Sequence, residues 1–487
     1  MRRRRTPARI ARLTLPGLAA MLLACTTPPL STPEIAASLP DAYRSGSAAG
    51  PILDAWWTRF NDARLNALVL HAAQDSPSVA QAAARLRIAQ AQARAARADF
   101  SPQVSAGFNA ARQRQNLAGL GPIGELPLAP GDAAGESASF TTSNFGLSLD
   151  ISWELDLWGR IAAQSAAARA DFLASRENLR AVRQSVAAQT ARLYFTVTEA
   201  RAQVDLAERT AATIGEIARQ INNRADAGIA APSDRLLANA NLESARSGLQ
   251  QRREALERAT RQLEVLLRDY PAGGIATASV LPEVPPPAPA GLPADLLKRR
   301  PDILASELAL HAAGYRLTAA ERTLLPNIAL TGSAGTASAE LGNLLSGGSV
   351  VWTIAGRVLQ PIFQAGRIRA QVDIVEGQRA EAIEAYADTV LRALAEVETA
   401  LAVDTLLAQR ESALDAAASA AEGAVAISFN RYREGIDPFL AVLESQQRAL
   451  DSRSAYLAAR RARLENRIDL HLALGGGFEP APDAKQE

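Results

Sequence analysis

Residues 144–155 read NFGLSLDISWEL. Phe145, Leu147, Leu149, Ile151, Trp153 and Leu155 fall on one face of an extended chain, and Asn144, Gly146, Ser148, Asp150, Ser152 and Glu154 on the other. Alternation of period 2 held over twelve residues predicts a strand longer than most in soluble proteins. A wall with lipid outside and water inside asks for this pattern, with Trp153 and Trp158 near an interface. A half-buried strand of a soluble sandwich shows the same alternation. A weaker copy lies at residues 350–358, with Trp352 and Ile354 on one face and Thr353 and Arg357 on the other.

Working outward, the chain is a tandem repeat. Pro77 and Pro102 lie 25 residues apart, as do Pro301 and Pro326. Each pair brackets an alanine-rich helical segment, 78–99 and 302–323, and each second proline precedes an alternating segment, 103–110 and 327–334. Trp158-Gly159-Arg160 matches Ala365-Gly366-Arg367, and 69 residues separate Gly159 from Gly228 and Gly366 from Gly435. The repeats are offset by 224 residues at the prolines and 207 at the glycines. The 17 extra residues of the first repeat fit the Gly/Pro-rich stretch 117–135, a longer surface loop.

Each repeat offers one hairpin, so the chain has four strands. Four cannot close a membrane barrel, and open edges are not tolerated in lipid. Several protomers must share one barrel. No proline interrupts residues 160–231 or 362–437, and each stretch reads as one very long helix. About 65 residues at 1.5 Å each span roughly 100 Å, near the depth of a periplasm. A shorter helix follows each tip glycine. Leu242, Leu249, Leu256 and Leu263, and then Ile436, Leu443, Leu450, Leu457 and Leu464, recur every seven residues. That period implies coiled-coil packing, which a plain helical bundle shares.

Composition agrees with long helices: aromatics are 5% of the 487 residues. A net charge of +1 gives no electrostatic footprint for nucleic acid. No apolar run approaches about 18 residues, so no transmembrane helix is expected. His71, His311 and His471 share neither repeat position nor metal-ligand spacing. No Gly-rich phosphate loop follows a strand. No enzyme activity, metal or cofactor is expected.

Residues 1–12 are strongly basic, 13–24 form a short apolar run, and Leu22-Leu23-Ala24-Cys25 closes it. This is the layout of a secretory signal. Its end resembles a lipobox, so Cys25, the only cysteine, is expected to carry acyl chains. Thr26 follows where an aspartate would mark inner-membrane retention. The expected organisation is signal 1–24, tether 25–55, repeats 56–270 and 296–474 joined by a linker 271–295, and tail 475–487.

Several segments resemble the TolC/OprM outer-membrane factors, and most closely the NodT-type lipoproteins of RND efflux systems. Trp56-Trp57-Thr58-Arg59-Phe60-Asn61-Asp62 is similar to the family's opening helix. Arg299-Arg300-Pro301-Asp302-Ile303, with Leu325-Pro326-Asn327-Ile328, is similar to the start of its second repeat. Gln360-Pro361-Ile362-Phe363-Gln364-Ala365-Gly366-Arg367 resembles its strand-to-helix junction. Tyr432-Arg433-Glu434-Gly435, with Val442-Leu443-Glu444-Ser445-Gln446, resembles its second tip. The resemblance covers nearly the whole mature chain. It implies a mainly α fold with four strands per chain, a homotrimer with a twelve-stranded barrel in the outer membrane, and a twelve-helix periplasmic tunnel. It also implies a periplasmic adaptor and an inner-membrane pump as partners, and passive export as the function. Type I secretion, metal-ion efflux and a non-conducting structural lipoprotein are the alternatives.

The family's tunnel closes at its periplasmic end through carboxylates and side-chain links. By position, the resemblance places Glu444 at the gate aspartate, Tyr432 at the tip tyrosine, and Ser233 and Asp234 at a Thr-Asp pair tying neighbouring coils. Asp437 stands where some members carry the linking arginine, and Ala441 where they carry a second aspartate. Arg224, Arg431 and Arg433 are the candidates to replace that arginine. Residue chemistry reads Asp437-Pro438 as a helix cap with proline at N1, and Glu444 as either gate or solvated helix residue. Gly228 and Gly435, with Ala227, Ala230 and Ala231 nearby, mark tips where an adaptor hairpin can approach closely.

Overall fold

The computed structural model describes residues 41–45, 54–116, 139–291 and 293–477. The signal segment, Cys25, most of the tether, the 117–135 loop and residues 478–487 lie outside them. The described chain falls into two units, one of residues 90–170 and 311–380, the other of the remainder.

The first unit holds a single antiparallel sheet of β1 (Gln103–Asn116), β2 (Ser139–Leu155), β3 (Asn327–Ser338) and β4 (Val350–Leu359), in that order. Gln103 pairs with Ser152, and Asn327 pairs with Leu359. The proline and glycine offsets of the sequence carry one pairing onto the other, so the two hairpins share one register. Val104, Phe108, Leu147, Leu149, Ile151, Trp352, Ile354 and Val358 are exposed, and the ladder puts them all on one face. β1 and β3 run beyond the expected ends, to Asn116 and Ser338. Apolar alternation stops at Arg112, Gln113 and Arg114, but backbone pairing continues, because a ladder needs only its amides and carbonyls.

The sheet's corners are tied by one device used twice. Trp153 Nε1 donates to the Phe100 carbonyl at 2.9 Å, and Gln360 Nε2, at the equivalent repeat position, donates to the Leu324 carbonyl at 2.8 Å. Gly159 and Gly366 turn the chain at φ +75° and +84°. Asp156 then caps α3, its carboxylate accepting from Ile161 N at 3.0 Å and Ala162 N at 2.7 Å.

The helices are α1 (Ala63–Asp75), α2 (Pro77–Ala98), α3 (Arg160–Asp226), α4 (Pro232–Leu267), α5 (Pro293–Arg299), α6 (Pro301–Arg322), α7 (Arg367–Arg433) and α8 (Phe439–Ala473). No described helix is long and apolar enough to cross a membrane. The segment read as an opening helix is a short 3-10 turn, Trp56–Phe60, whose Trp56, Trp57 and Phe60 are buried. Asp62 separates it from α1 by accepting from Arg64 N and Leu65 N. The leucine rows enter the buried seam at the ends far from the tips, where Leu263 and Leu464 are fully buried, and run beside it nearer the tips. In the first half of α8 the buried positions are Phe439, Val442, Gln446 and Ala449, while Leu443, Leu450 and Leu457 are half-buried.

The run Arg299–Ile303 has a structural role. Arg300 is buried, pairs with Asp302 at 2.6 Å and Glu396 at 2.7 Å, and donates to the Ala473 carbonyl at 3.0 Å. It thus ties the start of α6 to α7 and to the end of α8. The linker between repeats is pinned in the same way. Arg460 donates to the Pro282 carbonyl at 3.1 Å, and Arg467, fully buried, donates to the Pro285 carbonyl at 2.9 Å and Asp404 at 3.1 Å. Proline-rich chain cannot pair its own backbone in a ladder, so guanidinium groups satisfy its carbonyls.

His471 stacks on Trp56 at 5.7 Å and 14°. Both its ring nitrogens are buried with no hydrogen-bond partner among the described residues. Burial first, then the charges of Arg59 and Arg467, push its pKa down to about 4. As pH falls, the unfolded chain therefore takes up this proton before the folded one. Stability from this site is complete above about pH 6.5 and is lost between there and about pH 4, an amount on the order of 3 kcal/mol. His471→Phe keeps a ring on Trp56 and removes the titration. We expect denaturation midpoints measured across this range to fall more for the wild type than for His471→Phe; parallel pH profiles would refute the assignment.

Candidate functional site

The ends of α3 and α7 are built alike. Gly228 N donates to Ala225 O at 3.0 Å and Ile229 N to Arg224 O at 2.8 Å; Gly435 N donates to Tyr432 O and Ile436 N to Arg431 O, both at 2.9 Å. These are paired Schellman closures, with glycine at φ +75° and +74°. A Cβ at either glycine would meet nothing within 4 Å, so the backbone angle alone, not space, favours glycine there.

Behind the tips Ile217, Ala218, Ile221, Ala238, Tyr432, Phe439 and Val442 form one buried cluster. The Tyr432 hydroxyl leaves it to donate to Asp234 Oδ2 at 2.9 Å. Burial, and then this bond, push the Tyr432 pKa up to about 12, so it stays a donor at physiological pH. The Arg224 guanidinium lies 6.0 Å from the Tyr432 ring centre and donates to the Arg433 carbonyl at 3.4 Å. Its Nε is buried without a hydrogen-bond partner among the described residues. Ser233 Oγ lies 3.5 Å from the other Asp234 oxygen.

The structure thus brings together Ser233, Asp234, Tyr432 and Arg224. Glu444 stands apart from them: it is exposed, and its carboxylate has no hydrogen bond or ion pair among the described residues. The cap expected at Asp437 is not formed. Pro438 occupies the N-cap position with no side-chain cap bond. The Asp437 carboxylate instead holds Arg431 at 2.6 and 3.0 Å, and this pairing lowers its pKa. A charge-assisted two-point pair wins over a single bond to a backbone amide.

Sequence reading missed three polar ties here. Asn222 pairs with Asn239 at 3.1 Å, Asn241 with Gln446 at 2.9 Å, and Ser428 with Ser445 at 2.7 Å. Asparagine recurring inside alanine-rich helices was the available signal, because asparagine has poor helix propensity unless its side chain is engaged.

Ile229, Leu236, Leu237, Ile436 and Leu440 are exposed around the same tips. An exposed apolar rim thus lies at the ends of the long helices beside the polar link, the kind of patch that marks interaction sites on proteins. Among the described residues no group of three or more His, Cys, Asp or Glu is placed to hold a metal ion.

Comparison with known proteins agrees with this geometry. The sequence profile of the family described as outer membrane efflux protein matches residues 68–267 and 292–476. The chain is 32% identical to the outer membrane protein OprJ of Pseudomonas aeruginosa over 482 residues, covering 95% of this chain and 96% of OprJ. It is 31% identical to the cation efflux system protein CusC of Escherichia coli, over 87% and 88% of the two chains. The open-state structure of the MtrE outer membrane channel of Neisseria gonorrhoeae superposes with a TM-score of 0.79 at 28% identity, covering 93% of this chain and 99% of MtrE. A four-stranded sheet with an apolar outer face, two 67-residue helices and matches over nearly the full length lead to one conclusion: the chain belongs to the outer membrane efflux protein family and is a non-enzymatic efflux channel of the outer membrane.

Proposed function

We propose that three copies of this chain form one passive export duct, joined through a periplasmic adaptor to an inner-membrane pump and anchored by acyl chains on Cys25. The observation that carries this reading is the sheet itself: four strands, an apolar face and, among the described residues, two unpaired edges. Threefold assembly supplies the twelve strands that closure needs. Energy and choice of cargo we assign to the pump.

Two features support closure at the tips. Asp234 and Tyr432 form a link between the first and second repeats. Glu444 is exposed beside Leu443, which packs at the edge of the tip cluster. Threefold symmetry sets three Glu444 carboxylates around one axis, and such a ring favours cations. In planar bilayers the purified protein should conduct and be cation-selective. Glu444→Gln should move the reversal potential in a salt gradient toward zero with the trimer intact. Equal reversal potentials would leave Glu444 a solvated helix residue. A trimer that never conducts, even with Glu444 replaced, would leave a structural coiled-coil lipoprotein as the reading.

The tips are the docking surface for the adaptor hairpin. The exposed Ile229, Leu236, Ile436 and Leu440 and the open space over Gly228 and Gly435 support this. Gly435→Trp adds bulk outward and strains the closure by about 1–2 kcal/mol, little against a whole trimer. Efflux should be lost in cells whose trimer level is normal; unchanged efflux would place docking elsewhere.

The anchor is tested separately. Mass spectrometry of the mature amino terminus should find Cys25 first and acylated. An unmodified terminus at another residue removes the anchor and leaves the duct standing.

A further inference from the structure

β1 and β4 are the outer strands of the sheet, and every residue of β4 is exposed. Lipid does not tolerate such edges, and four strands are too few to close on themselves. The register in which another copy completes them can be worked out from the chain's own symmetry. The offset of 224 relates β1 to β3, and that of 207 relates β2 to β4; together they turn the pair Gln103–Ser152 into the observed pair Asn327–Leu359. The seam between repeats joins β2 to β3, with Asp150 opposite Ser333 and Ile151 opposite Gly332. Applied to this seam, the same offsets give Arg357 opposite Asn109 and Val358 opposite Phe108, which are pairs between the two free edges. The derived pairs keep the two faces of the sheet continuous across the new joint. Val358 and Phe108 both lie on the apolar face and Arg357 and Asn109 both on the polar one, whereas a shift by one residue would put lipid-facing against water-facing side chains.

The corner beside this edge differs between the repeats in a way that also needs a neighbour. At the seam within the chain, Trp158 Nε1 donates to the Pro326 carbonyl at 2.7 Å and Arg322 Nη1 to the Gly159 carbonyl at 2.6 Å. The counterparts of the two donors are Ala365 and Ala98, which have no side-chain donor. The counterpart of the capping Asp156 is Phe363. Ile362 and Phe363 are 89% and 86% exposed, the most exposed large apolar side chains of the sheet unit.

We propose that β4 of one copy pairs with β1 of the next in this register, Arg357 opposite Asn109 and Val358 opposite Phe108, and that Ile362 and Phe363 seat on the turn at residues 98–103 of that copy. The seam between subunits thus replaces two hydrogen bonds of the seam within the chain by apolar contact. This rests on the trimeric reading above and adds to it which residues meet.

The register is tested by paired cysteines in the full chain, oxidised in outer membranes and run on denaturing gels without reductant, with the unsubstituted chain as control for Cys25. Arg357→Cys with Asn109→Cys should give dimer and trimer bands that reductant removes. Arg357→Cys with Gly107→Cys or with Ala111→Cys should give about tenfold less, because diagonal neighbours lie about 7–8 Å apart, beyond disulfide reach. A ladder strongest at a shifted pair, or none from any pair in cells where efflux is normal, overturns the register while the duct stands. A strong ladder at 357 and 109 from a wild-type-like trimer that neither conducts nor supports efflux sinks the duct and keeps the seam. For the corner, Phe363→Asp is the informative variant. It gives α7 the carboxylate that Asp156 gives α3, so the single chain gains a helix cap while the seam loses its apolar group. Heat should dissociate the Phe363→Asp trimer at lower temperature than wild type, and Phe363→Leu should behave as wild type; an equally resistant Phe363→Asp trimer overturns the corner contact.

Discussion

Among the described residues no strand pairs with the outer edges of β1 and β4, and the amides and carbonyls along them are the constraint on which the rest of the molecule depends. In water an exposed edge is a risk of aggregation; in hydrocarbon each unsatisfied group costs several kcal/mol, and no chain can leave a row of them open. A sheet of four strands with an apolar face therefore cannot be a finished object. Its two hairpins share one register, so whatever meets β4 must look to it as β3 looks to β2. Internal duplication reduces the problem of closing a barrel to the repetition of one joint, and it explains why the strand-end donors Trp153 and Gln360 occupy equivalent positions despite their different chemistry.

The sheet was legible in the sequence because its signals are local and strict. Period-2 alternation at residues 144–155 fixes which side chains face outward, and proline and glycine fix where strands give way to helices. Two single-residue offsets read from those punctuation marks suffice to map one ladder onto the other. The strand ends were less legible, since Arg112 and Arg114 break the apolar pattern without breaking backbone pairing.

The helical contacts were legible only in outline. A seven-residue leucine row identifies a face, but near the tips neighbouring positions such as Val442 and Ala449 are the ones buried within the chain, and the row itself is buried only further on, at Leu263 and Leu464. Arg300 and Arg467 were invisible as clamps because their partners lie far off in sequence, at Glu396, Ala473, Asp404 and Pro285. Asp437 was misread for the opposite reason. Its sequence neighbour Pro438 signals a cap, yet Arg431, six residues earlier, is brought back beside it by the Gly435 closure. At the tip, Tyr432 and Asp234 were placed by resemblance; of the three arginines named as candidates there, only the packing of the ring singles out Arg224 as the one beside Tyr432.

The two repeats agree where the chain must tile and diverge where it must act. Applying the 207-residue offset to the tip, Tyr432 corresponds to Ala225, Asp234 to Ala441 and Asp437 to Ala230. Both residues of the Tyr432–Asp234 link have alanine as their counterpart, whereas Ser233 corresponds to Leu440 and Arg224 to Arg431. The bond from Tyr432 to Asp234 therefore joins non-equivalent positions and occurs once per chain, not once per repeat. The backbone of the tips, by contrast, is the same Schellman closure twice. A barrel wall wants every joint alike, because any odd strand pair would leave hydrogen bonds unmade. The gate proposed at the tips wants the reverse. In that proposal, side chains that differ between the repeats divide the tips into two classes, one carrying Asp234 and the other Tyr432. Alanine at positions 225 and 441 accomplishes that division without disturbing the helices that carry it, since alanine is the residue a helix accepts at least cost.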